Sequence, residues 1–184
     1  IPLEPISPHP LSYAGEDSRS KRETLAAELV KKGADAALLT SPTSIAWLFN
    51  IRGGDVHASP LPLSRAVLEA TGNATLFVHP QKVSAEVKSH LGHDVTIRPE
   101  NDIEEYLQRL GRSGKCVLID PKLTPMHYGQ LLEDHGAQIL KGDDPAALPR
   151  AIKNETEQQG ARDAQIRDGA AMVRFLHWLS QNAP

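Results

Sequence analysis

Ser64-Arg65-Ala66-Val67-Leu68-Glu69, then Thr71-Gly72-Asn73, then Ala74-Thr75-Leu76-Phe77-Val78: the stretch 64–78 decides the fold. Two short apolar runs flank a Gly-Asn pair, and both residues tolerate the positive φ that tight hairpin turns demand. The spacing predicts an antiparallel hairpin. Downstream, helical and strand patterns alternate. Helices are expected over about 81–91, 102–110 and 124–135, with strands over 94–98, 115–120 and 137–141. Such alternation implies strands in one sheet with helices packed on its faces. The hairpin makes that sheet mixed, so the fold class is α/β with a mixed β-sheet flanked by helices.

Upstream of the hairpin, Arg52-Gly53-Gly54-Asp55 reads as a loop. Before it, Ser44 is placed to cap a short helix through Ile45-Ala46-Trp47-Leu48-Phe49. Residues 34–40 form an apolar run suited to a buried strand. Leu25, Leu29 and Val30 recur at helical spacing from Ser20 until Gly33 stops the helix. Residues 1–18 hold four prolines in their first ten positions, which forbids a helix there and removes ladder donors. They read as an extended proline-rich linker, packed on a surface through Ile1, Leu3, Ile6 and Leu11.

Asp143-Asp144-Pro145-Ala146-Ala147-Leu148-Pro149 breaks the alternation and marks a boundary. The chain therefore divides into a linker (1–18), an α/β domain (19–142), and a boundary with a long helix (143–184). Asn154 and Glu157 have the spacing of a capping box that opens this helix. Its apolar residues thicken toward the C-terminal end, through Phe175, Trp178 and Leu179. A face of that kind needs a cover. Little sequence remains to supply one, so the cover is expected in further sequence of a longer protein.

Chemistry is sparse. Net charge is −3 with mixed signs, without the basic stripe that phosphate backbones require, which argues against nucleic acid. No run reaches the ~20 apolar residues of a membrane helix, and no leader peptide is visible. The single cysteine, Cys116, sits in the apolar run Cys116-Val117-Leu118-Ile119 as a small buried hydrophobe. Its solitude fits a reducing compartment. Eight histidines raise the question of metal, but His90 and His93 lack a carboxylate partner and read as solvated. Ser41, Ser44, Ser59 and Ser64 do not form a nucleophile elbow. Asp163 and Asp168, set among Arg162 and Arg167, read as a solvated charged face. Gly53-Gly54 reads as a tight turn in which Arg52 pairs with Asp55 or with a helix terminus. The residues alone thus describe an accessory or binding domain without a catalytic set, and with no metal-ligand set.

Two stretches carry a resemblance. Residues 44–56, with Trp47-Leu48-Phe49-Asn50-Ile51-Arg52-Gly53-Gly54-Asp55 at their centre, resemble the middle-domain signature of three-domain Xaa-Pro aminopeptidases. Lys153-Asn154-Glu155-Thr156-Glu157, continuing through Arg167-Asp168-Gly169-Ala170-Ala171 to Leu179, resembles the opening helix of that family's catalytic domain. Leu76-Phe77-Val78 and Ile119-Asp120-Pro121 are similar as well, in the same order along the chain. The resemblance implies a creatinase/prolidase N-terminal-domain-like fold, followed by the start of a pita-bread catalytic domain. It also implies a cytoplasmic parent enzyme, homodimeric through its catalytic domain, that removes the first residue from peptides with proline in second place. Two divalent metals, usually manganese, would bind an Asp, Asp, His, Glu, Glu set and activate a bridging hydroxide. None of those ligands is assigned in this chain, which is expected to bind no catalytic metal and to be inactive alone. Arg52, Asp55 and His57 are the candidate substrate-facing residues. The alternative is a non-enzymatic peptide- or protein-binding domain on the same fold.

Overall fold

The computed structural model describes residues 2–183. In chain order its elements are β1 (Ser7–Pro8), α1 (Leu11–Ala14), α2 (Ser18–Lys31), β2 (Ala36–Leu39), α3 (Pro42–Leu48), β3 (Ile51–Arg52), β4 (Arg65–Glu69) and β5 (Ala74–Phe77). There follow α4 (Ala85–Leu91), β6 (Val95–Arg98), α5 (Ile103–Arg112), β7 (Cys116–Ile119), α6 (Met126–Asp134), β8 (Gln138–Lys141), α7 (Ala147–Ala151) and α8 (Glu155–Asn182). Single 3-10 turns lie at Pro80–Lys82 and Glu100–Asp102.

The predicted hairpin is present: β4 and β5 pair antiparallel, with Arg65 opposite Phe77 and Leu68 opposite Ala74. Gly72 takes φ +86° in the turn. Six strands form one sheet in the order β6-β5-β4-β2-β7-β8. β2 runs antiparallel to β4, while β5–β6, β2–β7 and β7–β8 are parallel, so the sheet is mixed. Side-chain alternation sorts each strand onto two cores. Ala37, Leu39, Ala66, Leu68, Leu76 and Leu118 meet α2, α3 and α4 through Leu25, Leu29, Ile45, Leu48, Val87 and Leu91. Ala36, Leu38, Val67, Phe77, Val117 and Ile119 meet α5 and α6 through Ile103, Leu107 and Leu132. Because both faces are covered, the central strands read as continuous apolar runs instead of alternating ones.

Three local readings are corrected. α2 starts at Ser18, not Ser20: the Asp17 carboxylate accepts the Ser20 amide at 2.9 Å and caps the helix. α3 starts at Pro42, where proline's fixed φ suits a first turn, so Ser44 is buried inside the helix and caps nothing. The proline-rich segment is not an extended linker. Ile6 is buried, its amide donates to the Lys82 carbonyl at 2.9 Å, and Ser7–Pro8 pairs antiparallel with Ile51–Arg52. Proline survives here because a two-stranded ribbon leaves edge positions that need no donor. Leu3 and Leu11 are exposed; Ile1 lies outside the described residues.

Packing also continues past residue 142. Asp144 and Ala146 are buried, and the Asp144 amide donates to Asp120 Oδ2 at 2.9 Å. The body therefore runs through α7. α8 then opens on the predicted capping box, with Asn154 Oδ1 accepting the Glu157 amide at 2.9 Å and Glu157 Oε2 accepting the Asn154 amide at 3.1 Å. Beyond its base α8 stands free of the body: Ile166, Val173, Phe175, Leu176, Trp178 and Leu179 are all exposed, and no described residue covers them.

Ile6→Ala tests whether the N-terminal segment belongs to the folded body. Removing a buried side chain of this size should cost about 2–5 kcal/mol, read as a lower urea midpoint with unchanged slope. A linker residue would cost nothing.

Candidate functional site

The loop after β3 is where the sequence places the candidate residues, and the structure gives each a different environment. Asp55 is at the centre. Its side chain is fully enclosed, as is that of Lys82, and the two form an ion pair. Asp55 also accepts the amides of Leu63 at 2.6 Å and Glu4 at 3.3 Å, while Lys82 Nζ donates to the Leu63 carbonyl at 3.2 Å. One buried charge pair thus ties the N-terminal segment, the far end of the loop and the Pro80–Lys82 turn. Gly53 is needed for close approach, since a Cβ there would lie 2.9 Å from the Pro62 side chain; one on Gly54 would crowd the exposed Glu4 side chain at 3.2 Å. The expected Arg52–Asp55 pairing is therefore wrong, and Asp55 is not available to face a substrate. Desolvation selects the partner here, because a buried carboxylate needs the ammonium that is buried with it.

Arg52 turns the other way. Its Nη1 donates to the carbonyls of Ile51 at 2.9 Å and Ala46 at 3.3 Å, the latter in the last turn of α3. The helix-terminus half of the prediction matches this contact. Burial lowers the guanidinium from its ordinary pKa, and the Glu157 carboxylate at the base of α8 opposes that shift. His57 sits exposed at the loop tip, beside Ala58 at φ +57°.

Around Arg52 lie groups that the sequence reading passed over. Lys21 is buried, donates Nζ to Asn50 Oδ1 at 2.7 Å and to the Trp47 carbonyl at 3.1 Å, and stands 4.5 Å from the Trp47 ring centroid. Asn50 holds φ +48°, and its Nδ2 donates to the Glu16 carbonyl at 2.8 Å. The signal was present: Lys21 falls on the same i, i+4, i+8 stripe of α2 as Leu25 and Leu29. Burial pushes the Lys21 pKa down, with Glu157 and Glu16 opposing. Burial, followed by the Arg52 and Lys21 cations, pushes that of His9 down too. Arg52 and Lys21 thus form a cationic pair beside the first turn of α8, and His9 next to them is held toward its neutral form. His90, read from sequence as solvated, is half-buried and bonds Nε2 to the Phe49 carbonyl at 3.0 Å, while His93 is exposed. Among the described residues no three His, Cys, Asp or Glu side chains are grouped to hold a metal.

The sheet has a switch point, where α/β folds often bind ligands. β2 leads into α3 on one face, and its parallel neighbour β7 leads into α6 on the other. Here the chain's own loops occupy it. Thr40 Oγ1 donates to the Leu123 carbonyl at 3.0 Å, and Asp120 accepts the amides of Lys122 and Asp144, each at 2.9 Å.

A two-faced mixed sheet with its switch point plugged, entered by a paired N-terminal ribbon and left by a long helix, defines a mixed α/β domain. More particularly, the chain belongs to the creatinase/prolidase N-terminal domain family, whose profile matches residues 1–157. It is 35% identical over 169 residues to Xaa-Pro aminopeptidase 1 of Dictyostelium discoideum, covering 92% of this chain and 26% of that protein. It is 36% identical over 186 residues to a probable Xaa-Pro aminopeptidase P of Penicillium rubens, covering 97% and 30%. The solved X-prolyl aminopeptidase of Caenorhabditis elegans, described as a cytosolic enzyme with a di-nuclear active site, superimposes with TM-score 0.89 at 25% identity. That match covers 98% of this chain and 30% of the other. An Xaa-Pro dipeptidase of Bacillus anthracis shares the fold at TM-score 0.66 and 19% identity, over 91% of this chain and 44% of that one. The chain spans less than a third of the length of the curated relatives it matches. No helix among the described residues is long and apolar enough to cross a membrane.

Two outcomes follow from the buried charges. Asp55→Ala strands the Lys82 ammonium and should cost about 3–5 kcal/mol of stability in urea, much of it recovered by Asp55→Leu combined with Lys82→Met. The folded-state pKa of His9 lies below its ordinary 6.5, so the unfolded chain takes up the proton first. Stability present above pH 6.5 is then lost as pH falls through the folded value. His9→Asn should flatten the decline of Tm across that acid window.

Proposed function

We propose that this chain is the non-catalytic domain, together with the opening helix of the catalytic domain, of a metal-dependent Xaa-Pro aminopeptidase. The parent removes the first residue from peptides with proline in second place. The observation that carries the reading is α8, whose apolar side chains from Ile166 to Leu179 stand in solvent on a well-capped helix. Such a stripe is built to be covered. Relatives named as Xaa-Pro aminopeptidases are more than three times longer than the matched span, which supplies the protein to cover it.

In this reading the two divalent metals, manganese by family resemblance, belong to the rest of the parent. The described residues do not fit such a centre, so no step of the chemistry is routed through them. The domain's work is mechanical. Arg52, beside the base of α8, faces the catalytic domain; Asp55 shapes the loop from beneath; His57, at the exposed tip, is the member left to meet a peptide. The parent is a cytoplasmic homodimer joined through its catalytic domain.

The test is an aminopeptidase assay on Xaa-Pro peptides with added manganese. This chain alone should release no first residue, whereas the parent should do so and lose the activity to a chelator. Cleavage by the chain alone at a rate like the parent's would sink the proposal.

A further inference from the structure

α8 is 28 residues long and meets the body only near its base. At 1.5 Å per residue it is a lever of about 42 Å, so a tilt of about 10° at its base moves its far end by about 7 Å. Whatever fixes the base therefore fixes where everything attached to the helix lies. Asn154 makes two kinds of bond at that base. Its Oδ1 accepts the Glu157 amide at 2.9 Å and so caps α8. Its Nδ2 donates at 2.8 Å to the carbonyl of Ala14, 140 positions earlier in the chain and the last residue of α1. That carbonyl belongs to a helix terminus with no helical partner of its own.

The next residue completes the fit. Gly15 holds φ +70°, and a Cβ there would lie 2.5 Å from Asn154 Oδ1 and 2.8 Å from Nδ2. The asparagine amide therefore occupies the space that any other residue at 15 would fill. α1 is itself anchored, because it follows directly on β1, which is paired to β3, and His9 donates its amide to the Asn50 carbonyl at 2.7 Å. Hydrogen bonds and the covalent chain together thus link the N-terminal ribbon to the root of the helix.

We propose that Asn154 and Gly15 form a clasp that sets the direction in which α8 leaves the domain. Its functional meaning, that the clasp sets the angle of the attached catalytic domain, rests on the reading above. The proline-rich segment is then the fixed side of an interdomain joint.

Capping and clasping separate experimentally. Asn154→Asp keeps a good N-cap acceptor but has no N–H to give Ala14. Spin labels at Glu86→Cys on α4 and Arg174→Cys on α8, in a Cys116→Ala background, read the angle as an electron–electron distance distribution. The otherwise unaltered chain should give a single narrow distance. Asn154→Asp should lose it for a broad distribution while keeping full helical circular dichroism, and Gly15→Ala should shift the mean distance. An unchanged narrow distribution in Asn154→Asp overturns the clasp. Should Asn154→Asp lose helicity, Gly15→Ala decides, because it leaves Asn154 in place: an unshifted mean distance in that variant overturns the clasp. Peptidase activity plays no part in this readout, so its failure and that of the enzymatic assignment are told apart.

Discussion

Water is excluded from one complete ion pair, Asp55 with Lys82, and the rest of the structure is arranged around that constraint. Neither charge is tolerable without the other in a low-dielectric interior. Both must therefore arrive together, and each brings its backbone along. Asp55 draws in the N-terminal segment through Glu4 and the loop end through Leu63, and Lys82 draws in the turn after β5. The ribbon of β1 and β3, the buried Ile6 and the close approach of Gly53 and Gly54 all depend on that gathering. The string Arg52-Gly53-Gly54-Asp55 is thus legible as a folding device: glycine for closeness, aspartate for the anchor.

Much of the architecture was written in local pattern. The hairpin at 64–78, the alternation after it and the capping box at Asn154 and Glu157 are short-range signals that depend on turn chemistry and periodicity, and each appears near where its residues predict it, except that the helix expected from 81 opens at Ala85, where Ser84 caps it after the Pro80–Lys82 turn. The errors lie where tertiary partners override local preference. Proline content read as a linker because a single sequence does not show that β3 offers an edge for Ser7–Pro8 to join. Asp55 looked outward because its partner, Lys82, is 27 positions away. Lys21 was overlooked because a lysine on an apolar stripe is ordinarily a snorkelling surface residue; here its head is held by Asn50 and the Trp47 ring.

The plugged switch point bears on how the domain divides labour with its surroundings. In many α/β proteins the carboxyl edge of the parallel strands is kept open for a ligand. Here Thr40, Asp120 and Leu123 close it with hydrogen bonds, and the polar groups a ligand would use are spent on the chain itself. What the domain offers outward is instead the exposed helix α8, whose apolar side chains from Ile166 to Leu179 stand in solvent.

That helix also imposes an order on biosynthesis. Every strand pairing of the body is complete within residues 7–141, so the body has all its long-range partners before Phe175 and Trp178 leave the ribosome. Folding from the N-terminus then presents the nascent chain with a finished platform and a greasy rod emerging from it.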